Sequence, residues 1–298
     1  MKRDKNVKWQ RHDASLPNIE GMQVAIIGGT GGIGRALSCH LASLGAQVTV
    51  VGQTFRDQES TNISFIKADL SLMKEAQRVA SLLPVEKLDM LIFTTGIFAA
   101  PQRQQTAEGI ERDLAVSYLN RLVILQAIAP RLTSLSRGSR NATRIFLMGY
   151  PGSGQTGSPD DLNAEKSYKA MAAHMNTVAG NEMLVLEGAA KSPDLRFYGL
   201  NPGLIKTSIR NNFFGENTLK SRLVETLIGW FTPTAEAYAE RITPLLFSAE
   251  IDSLSGAMFN NKGQVIKPSE GLNSVHIRKF MASSEALIAR AGVENIRC

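Results

Sequence analysis

The strongest chemical signal in this chain is Gly28-Gly29-Thr30-Gly31-Gly32-Ile33-Gly34. It follows an apolar run of strand length, and Ile33, Leu37, Leu41 and Leu44 then recur at helical spacing. Gly28 permits a sharp turn, Gly32 lets the backbone approach a pyrophosphate, and Gly34 allows close packing of helix on strand. Phosphates then lie at a helix N-terminus, where unpaired N–H groups and the helix dipole favour anions. A glycine-rich turn alone is a weak sign, but the strand before it and the helix after it are the context a dinucleotide site requires. The next apolar run ends in Gly52-Gln53-Thr54-Phe55-Arg56. An NAD site usually places a carboxylate here to accept from the ribose 2′-hydroxyl. None occurs before Asp57, whereas Gln53, Thr54 and Arg56 can donate to a 2′-phosphate. This spacing predicts NADP over NAD.

The elements that must position these groups alternate. Strands are predicted at Gln23 to Ile27, Val48 to Val51, Ile63 to Ile66, Met90 to Phe93, Ile145 to Met148 and Leu195 to Leu200. Helical patterns lie between them: Met73, Ala76, Val79 and Leu83, with Ser71 as N-cap; Ile110 to Leu125; and about Tyr168 to Ala190. Near-continuous apolar strands alternating with helices predict an α/β, Rossmann-like, doubly wound parallel sheet covered on both faces. About seven strands in the order 3-2-1-4-5-6-7 are expected. One domain is read over residues 21–298, after a basic extension at 1–20. Residues 207–250 break the rhythm and carry Phe213, Phe214, Leu219, Leu223, Leu227, Trp230 and Phe231. They are read as a helical insertion, either an apolar lid over a substrate or a helix packed on the core.

The Gly28–Gly34 spacing resembles the Gly-x-x-x-Gly-Ile-Gly fingerprint of the short-chain dehydrogenase/reductase family. Further matches follow in order. Asp69-Leu70 looks like that family's adenine-contacting Asp. Thr94-Thr95-Gly96 resembles its Asn-Asn-Ala-Gly, with the Gly kept. Pro202-Gly203-Leu204-Ile205-Lys206-Thr207 is similar to its Pro-Gly-x-Val-x-Thr, the turn that holds the nicotinamide carboxamide. The resemblance covers roughly residues 20–268. It implies a cofactor site of Gly28, Thr30, Gly32, Ile33, Gly34, Gln53, Arg56, Asp69, Leu70, Thr95, Gly96, Pro202, Gly203, Ile205 and Thr207. It also implies a homodimer or homotetramer.

The family's chemistry uses a tyrosine acid with a lysine four residues later on the same helix face. No tyrosine here has that lysine: the residues four after Tyr118, Tyr150, Tyr168, Tyr198 and Tyr238 are Leu122, Gly154, Ala172, Pro202 and Ile242. The family's Ser-Ser reads Gly149-Tyr150, and its helix asparagine reads Ser117. Ungapped spacing from Pro202-Gly203 puts the usual tyrosine near position 171. Tyr168 or Tyr150 is therefore the expected proton donor, with Lys169 or Lys166 as the nearby cation. His174 is read as a polar helix-face residue rather than a base. Asn176, Asn181 and Glu182 are read as a buried polar network or an oligomer face.

Composition sets the outer bounds. The chain has 298 residues, 43% hydrophobic and 20% charged, in the range of a folded globular domain. Cys39 and Cys298 give neither a disulfide framework nor metal-ligand spacing, so no metal is expected. No apolar run approaches the length of a membrane span. The basic start (Lys2, Arg3, Lys5, Lys8, Arg11) lacks the apolar stretch of a secretory signal, which predicts a cytoplasmic protein. The net charge of +6 gathers in that start, read as a solvated basic tail, and no basic stripe with aromatics predicts nucleic-acid binding. Two functions remain. One is NADP(H)-dependent oxidation or reduction of a carbonyl, alcohol or activated double bond in a medium-sized apolar molecule. The other is a catalytically altered relative that keeps the dinucleotide for sensing, structure or a non-redox reaction.

Overall fold

A computed structural model describes residues 1–7, 9, 18–57, 62–136, 142–205 and 233–293. The described strands are β1 (Gln23–Ile27), β2 (Gln47–Gly52), β3 (Ile63–Lys67), β4 (Met90–Phe93), β5 (Arg144–Met148), β6 (Arg196–Leu200), β7 (Met258–Phe259) and β8 (Val265–Ile266). They form one sheet in the order β3-β2-β1-β4-β5-β6-β7-β8. Every pairing is parallel except β7 with β8, where Met258 faces Ile266. The expected order holds through β7. The eighth strand has two residues, too few to leave a periodic signature in the sequence.

Alternate strand residues feed two cores, because successive side chains point to opposite faces. Ala25, Ile27, Leu91, Phe93 and Ile145 pack with α2 (Met73–Leu82), α4 (Asn120–Ser136), α5 (Ala170–Lys191) and α7 (Ser274–Arg290). Val24, Ile26, Ile92 and Phe146 pack with α1 (Gly32–Ser43) and α6 (Ala235–Phe247). Each fully buried Leu, Ile or Phe contributes roughly 1.5–3 kcal/mol, so the sheet edge that carries the strand-end loops is held from both sides.

Three expectations change, and for one stretch the structure chooses between two alternatives. Helix α5 begins at Ala170, so Tyr168 and its N-cap Lys169 precede it. The Asp161 carboxylate accepts from the backbone N–H groups of Glu165, Lys166 and Ser167, and this folds the approach to the helix into a compact loop. Ser71 does not cap α2. The N-cap is Leu72, and the carboxylate of distant Glu108 accepts from Met73 N (2.5 Å) and Lys74 N (3.2 Å) instead. The first residues are not a free tail: Arg3 bridges Ile266 antiparallel, and Trp9 packs edge-on to Phe259 at 6.1 Å. Finally, α6 buries Tyr238, Ala239, Ile242 and Leu246 in the core beside α1, so this part of the predicted insertion is a packing helix. Thr207 and the aromatics Phe213 to Phe231 lie outside the described residues.

The long helix after β4 opens with a short turn, α3 (Arg112–Leu114), and then widens into a π-turn over Ala115–Leu119 before α4. A wider turn takes carbonyls out of the regular ladder, and π-turns often mark functional positions. Side-chain amides satisfy those carbonyls here. Asn120 Nδ2 donates to Ala115 O (2.9 Å) and Val116 O (2.5 Å), and Asn181 Nδ2 donates to Ser117 O (2.8 Å).

Candidate active site

The C-terminal ends of β1, β2, β3, β4, β5 and β6 border one cavity of about 730 Å³. This is the edge at which open α/β sheets bind ligands. At one end the wall is largely backbone. Gly28 has φ +94°, and a Cβ there would lie 2.5 Å from Thr95 N. A Cβ on Gly34 would lie 2.3 Å from Gly28 O and 2.4 Å from Thr94 Oγ1. The strand-to-helix turn therefore closes only because both positions lack side chains. No side chain caps the first turn of α1 and no acidic residue occupies it. Its amides face the cavity beside Gly31, Gly32 and Ile33, an arrangement suited to an anion.

Of the residues expected at a cofactor site, Gly28, Thr30, Gly32, Ile33, Gly34, Gln53, Asp69, Leu70, Thr95, Gly96, Pro202, Gly203 and Ile205 all line this cavity. Gln53 Nε2 and Ser71 N donate to Asp69 Oδ1, each at 3.0 Å. Partial burial raises the Asp69 pKa, but the bonds from Ser71 and Gln53 outweigh it and hold the carboxyl below its ordinary value. Arg56 is exposed and does not reach the cavity wall. A cation missed in the sequence, Arg35 of α1, instead grips Asp57 through Nε at 2.7 and 3.0 Å and through Nη2. It left no motif because the pairing joins the first turn of a helix to a loop after the neighbouring strand.

At the other end the wall is side chain. Met171 and Met175 are one turn apart on α5 and line the cavity, where the family resemblance puts tyrosine and lysine. Their thioethers neither donate nor carry a titrating proton. The structure does not bring the expected Tyr168 and Lys169 to this wall. The Tyr168 hydroxyl donates to Ala100 O at 2.5 Å. Burial, with the carboxylates of Glu111 and Asp113, pushes that phenol up to about 12, opposite to the shift a neighbouring lysine would give. Lys169 is exposed, as is Lys166, whose Nζ donates to Asp160 O at 3.0 Å. Tyr150 does border the cavity, with 41% of its surface exposed. Gly149, at the expected serine position, presents no side chain.

Polar groups from four elements meet beneath this end. Arg121 of α4 is 2% exposed, and its guanidinium donates to Thr95 O (2.5 Å), Met148 O (2.6 Å) and Asn181 Oδ1 (3.0 Å). It thereby ties the ends of β4 and β5 to α5. Burial pushes its pKa down to about 9, while Asp113 opposes that shift, so Arg121 remains a cation at neutral pH. Asp113, fully buried, receives Ser117 Oγ on Oδ1 at 2.5 Å and faces His174 Nδ1 through Oδ2 at 2.7 Å. The His174 ring stacks on Phe98 with centroids 4.1 Å apart. Phe98, Ser117, Arg121 and His174 all line the cavity. Asp113, Arg121 and His174 were invisible as a group in the sequence, because sixty-one residues separate Asp113 from His174. The one available sign was that the pattern predicts helix faces carrying polar residues among apolar ones.

Comparison with known proteins agrees with this geometry. The profile of the short chain dehydrogenase family matches residues 22–143. An uncharacterized oxidoreductase of Saccharomyces cerevisiae is 50% identical over 97% of this chain and 95% of its own. The polyprenol dehydrogenase of Homo sapiens is 24% identical, over 80% of this chain and 77% of its own. A crystal structure of an uncharacterized Mycobacterium paratuberculosis protein has the same fold, with TM-score 0.66, 20% identity and coverage of 95% and 98%. The chain belongs to the short-chain dehydrogenase/reductase family, whose members are oxidoreductases on a fold that binds nicotinamide dinucleotides. No described helix is long and apolar enough to cross a membrane, and no group of His, Cys, Asp and Glu among the described residues could hold a metal.

Proposed function

We propose that this protein is a cytoplasmic, NADP(H)-dependent oxidoreductase acting on a carbonyl, alcohol or activated double bond of a medium-sized apolar molecule. The observation that carries the reading is the cavity itself: an uncapped helix N-terminus, a two-glycine turn that tolerates no Cβ, and the Pro202–Ile205 turn border one space. The amides of Gly32 and Ile33 would hold the pyrophosphate, Asp69 the adenine, and the turn from Pro202 the carboxamide. When bound, the nicotinamide supplies a hydride. Phe98, Met171, Met175, Val178 and Leu204 give the remaining wall an apolar face that excludes water and suits an apolar substrate. The likeness to a polyprenol dehydrogenase supports the same substrate class.

The preference for NADP rests on Asp57. It is the carboxylate nearest in sequence to the end of β2, and Arg35 already holds it, so it is poorly placed to accept a ribose hydroxyl. Arg35, which like Arg56 does not line the cavity wall, would exchange that partner for a 2′-phosphate at the cavity's edge. Fluorescence titration tests this. NADPH is expected to bind more tightly than NADH, and Arg35→Ser to weaken NADPH about tenfold, the worth of one charge-assisted hydrogen bond, with NADH unchanged. Tighter binding of NADH to the wild type would overturn the preference. Failure of either dinucleotide to bind would overturn the oxidoreductase reading.

A further inference from the structure

The family's proton donor is gone, and the methionines in its place cannot transfer a proton. A hydride added to a carbonyl carbon needs a proton for the oxygen, so a cavity that performs this chemistry needs another titrating group. Among the described residues, three such groups border its α5 end. Tyr150 sits at the exposed mouth, with 41% of its surface open to solvent. Arg121 stays protonated at neutral pH and has three acceptors already. His174 is different. Its Nδ1 is held by a fully buried carboxylate, its ring is clamped against Phe98, and Nε2 has no hydrogen-bond partner among the described residues.

We propose that Asp113 and His174 form a proton-transfer dyad, with His174 Nε2 as the general acid for reduction and the base for oxidation. The inference rests on the oxidoreductase reading above. The geometry dictates the roles. Asp113 Oδ2 accepts Nδ1–H, which fixes the tautomer and leaves Nε2 as the exchangeable site. Ser117 Oγ holds the other carboxylate oxygen, and Ile97 N donates to that hydroxyl at 3.0 Å, so Asp113 cannot swing away from the ring. Asp113 is thus a positioning residue and His174 the catalytic one. In reduction the Nε2–H bond breaks as an O–H bond forms. The π pair of the carbonyl becomes the third lone pair on oxygen, and the new O–H bond is formed from that pair. The carbon receives the hydride and its electron pair from the reduced nicotinamide. The neutral imidazole regains a proton from solvent, and Asp113 keeps the Nδ1–H throughout.

Among the charged groups near the ring, Asp113 of α3 faces it directly through Oδ2, and the buried Arg121 of α4 lies close enough to Asp113 to interact with its charge. Lys169, at the start of α5, is exposed.

Two measurements on the full chain test the dyad. The first is diethyl pyrocarbonate labelling with peptide mass mapping, with and without saturating NADPH. His174 is expected to react at Nε2 and to be protected at least tenfold by NADPH. His276, whose Nε2 faces Thr156 O at 2.7 Å, is the internal control and is expected to change less than twofold. The second follows NADPH oxidation with 9,10-phenanthrenequinone and aromatic aldehydes as probes. His174→Gln and His174→Asn are each expected to lower kcat about 100-fold or more, the usual range for a general acid, with the NADPH Kd within about twofold. Free imidazole is expected to restore turnover in His174→Gly, which a purely structural histidine would not allow. Labelling of His174 that ignores bound NADPH overturns the dyad, as does retention of over a tenth of kcat in His174→Gln. If the wild type turns over none of the probes, the labelling result alone decides. Absence of NADPH binding by the wild type is a separate outcome, which removes the oxidoreductase reading itself.

Discussion

The Gly28–Gly34 end of the cavity and the α5 end are built from different material. At the first, the wall is backbone: amides at a helix start, and glycines where a Cβ would collide with Gly28 O or Thr95 N. At the second, the wall is side chain: Asp113 of α3 holds Ser117 of the π-turn and His174 of α5, and Arg121 of α4 holds Thr95, Met148 and Asn181, through hydrogen bonds of 2.5–3.0 Å. A backbone site depends on one local conformation and tolerates little change. A side-chain site can exchange its members, provided that each buried polar group still finds a partner. The family resemblance is accordingly close at the first end and absent at the second.

The sharpest way to break this comparison is to remove the centre of the side-chain network. Arg121→Ala leaves Thr95 O, Met148 O and Asn181 Oδ1 without their donor and Asp113 without a neighbouring cation. A loss of about 3–5 kcal/mol is expected in urea unfolding, the scale for uncovering buried charged and polar partners. A change under 1 kcal/mol would mean that the network is dispensable. The matching change at the backbone end is Gly34→Ala, which forces its methyl into Gly28 O. It is expected to cost about 1–3 kcal/mol and to weaken NADPH binding about tenfold, whereas Arg121→Ala is read first in stability.

Smaller effects sharpen the boundary between the two ends. Glu108→Ala removes the remote cap from α2 by a side chain that does not itself line the cavity. It should lower stability by about 1 kcal/mol, typical of a lost N-cap, with NADPH affinity unaltered. The smallest effect is expected from Asp69→Asn. Asp69 has a lowered pKa in the fold, so its carboxylate stabilises the protein above the unfolded value of about 3.9 and that contribution fades as pH falls through the lower folded value. Urea midpoints of wild type and variant should therefore differ at pH 7 and converge below about pH 4. A gap that persists or widens in acid would assign the loss to packing instead of charge.

The cofactor end was legible because strand, turn and helix follow one another within a few residues. Gly28 and Gly34 lie in the chain as they lie in space, and apolar periodicity placed β1 and β4 at their observed bounds. Helix starts were less legible. Asp161 takes three backbone N–H groups and holds Tyr168 and Lys169 outside α5, and Glu108 supplies from thirty-five residues away the cap expected of Ser71. Neither interaction has a local signature. The exclusion of a Tyr-x-x-x-Lys pair was correct from sequence alone, but the identity of its replacement was not readable there.

The sequence by itself therefore determined the layer architecture, the strand order through β7, and the glycine turn, because each follows from local periodicity and from steric limits within a short stretch. Only the tertiary structure decided which polar groups meet. Asp113 and Ser117 share one side at i,i+4 spacing, α5 brings His174 and Asn181 to that side, and burial makes every unpaired donor or acceptor costly. That cost selects one pairing of Asp113, Ser117 and Arg121 with His174 and Asn181, some sixty positions further along the chain, and no spacing in the sequence records that pairing.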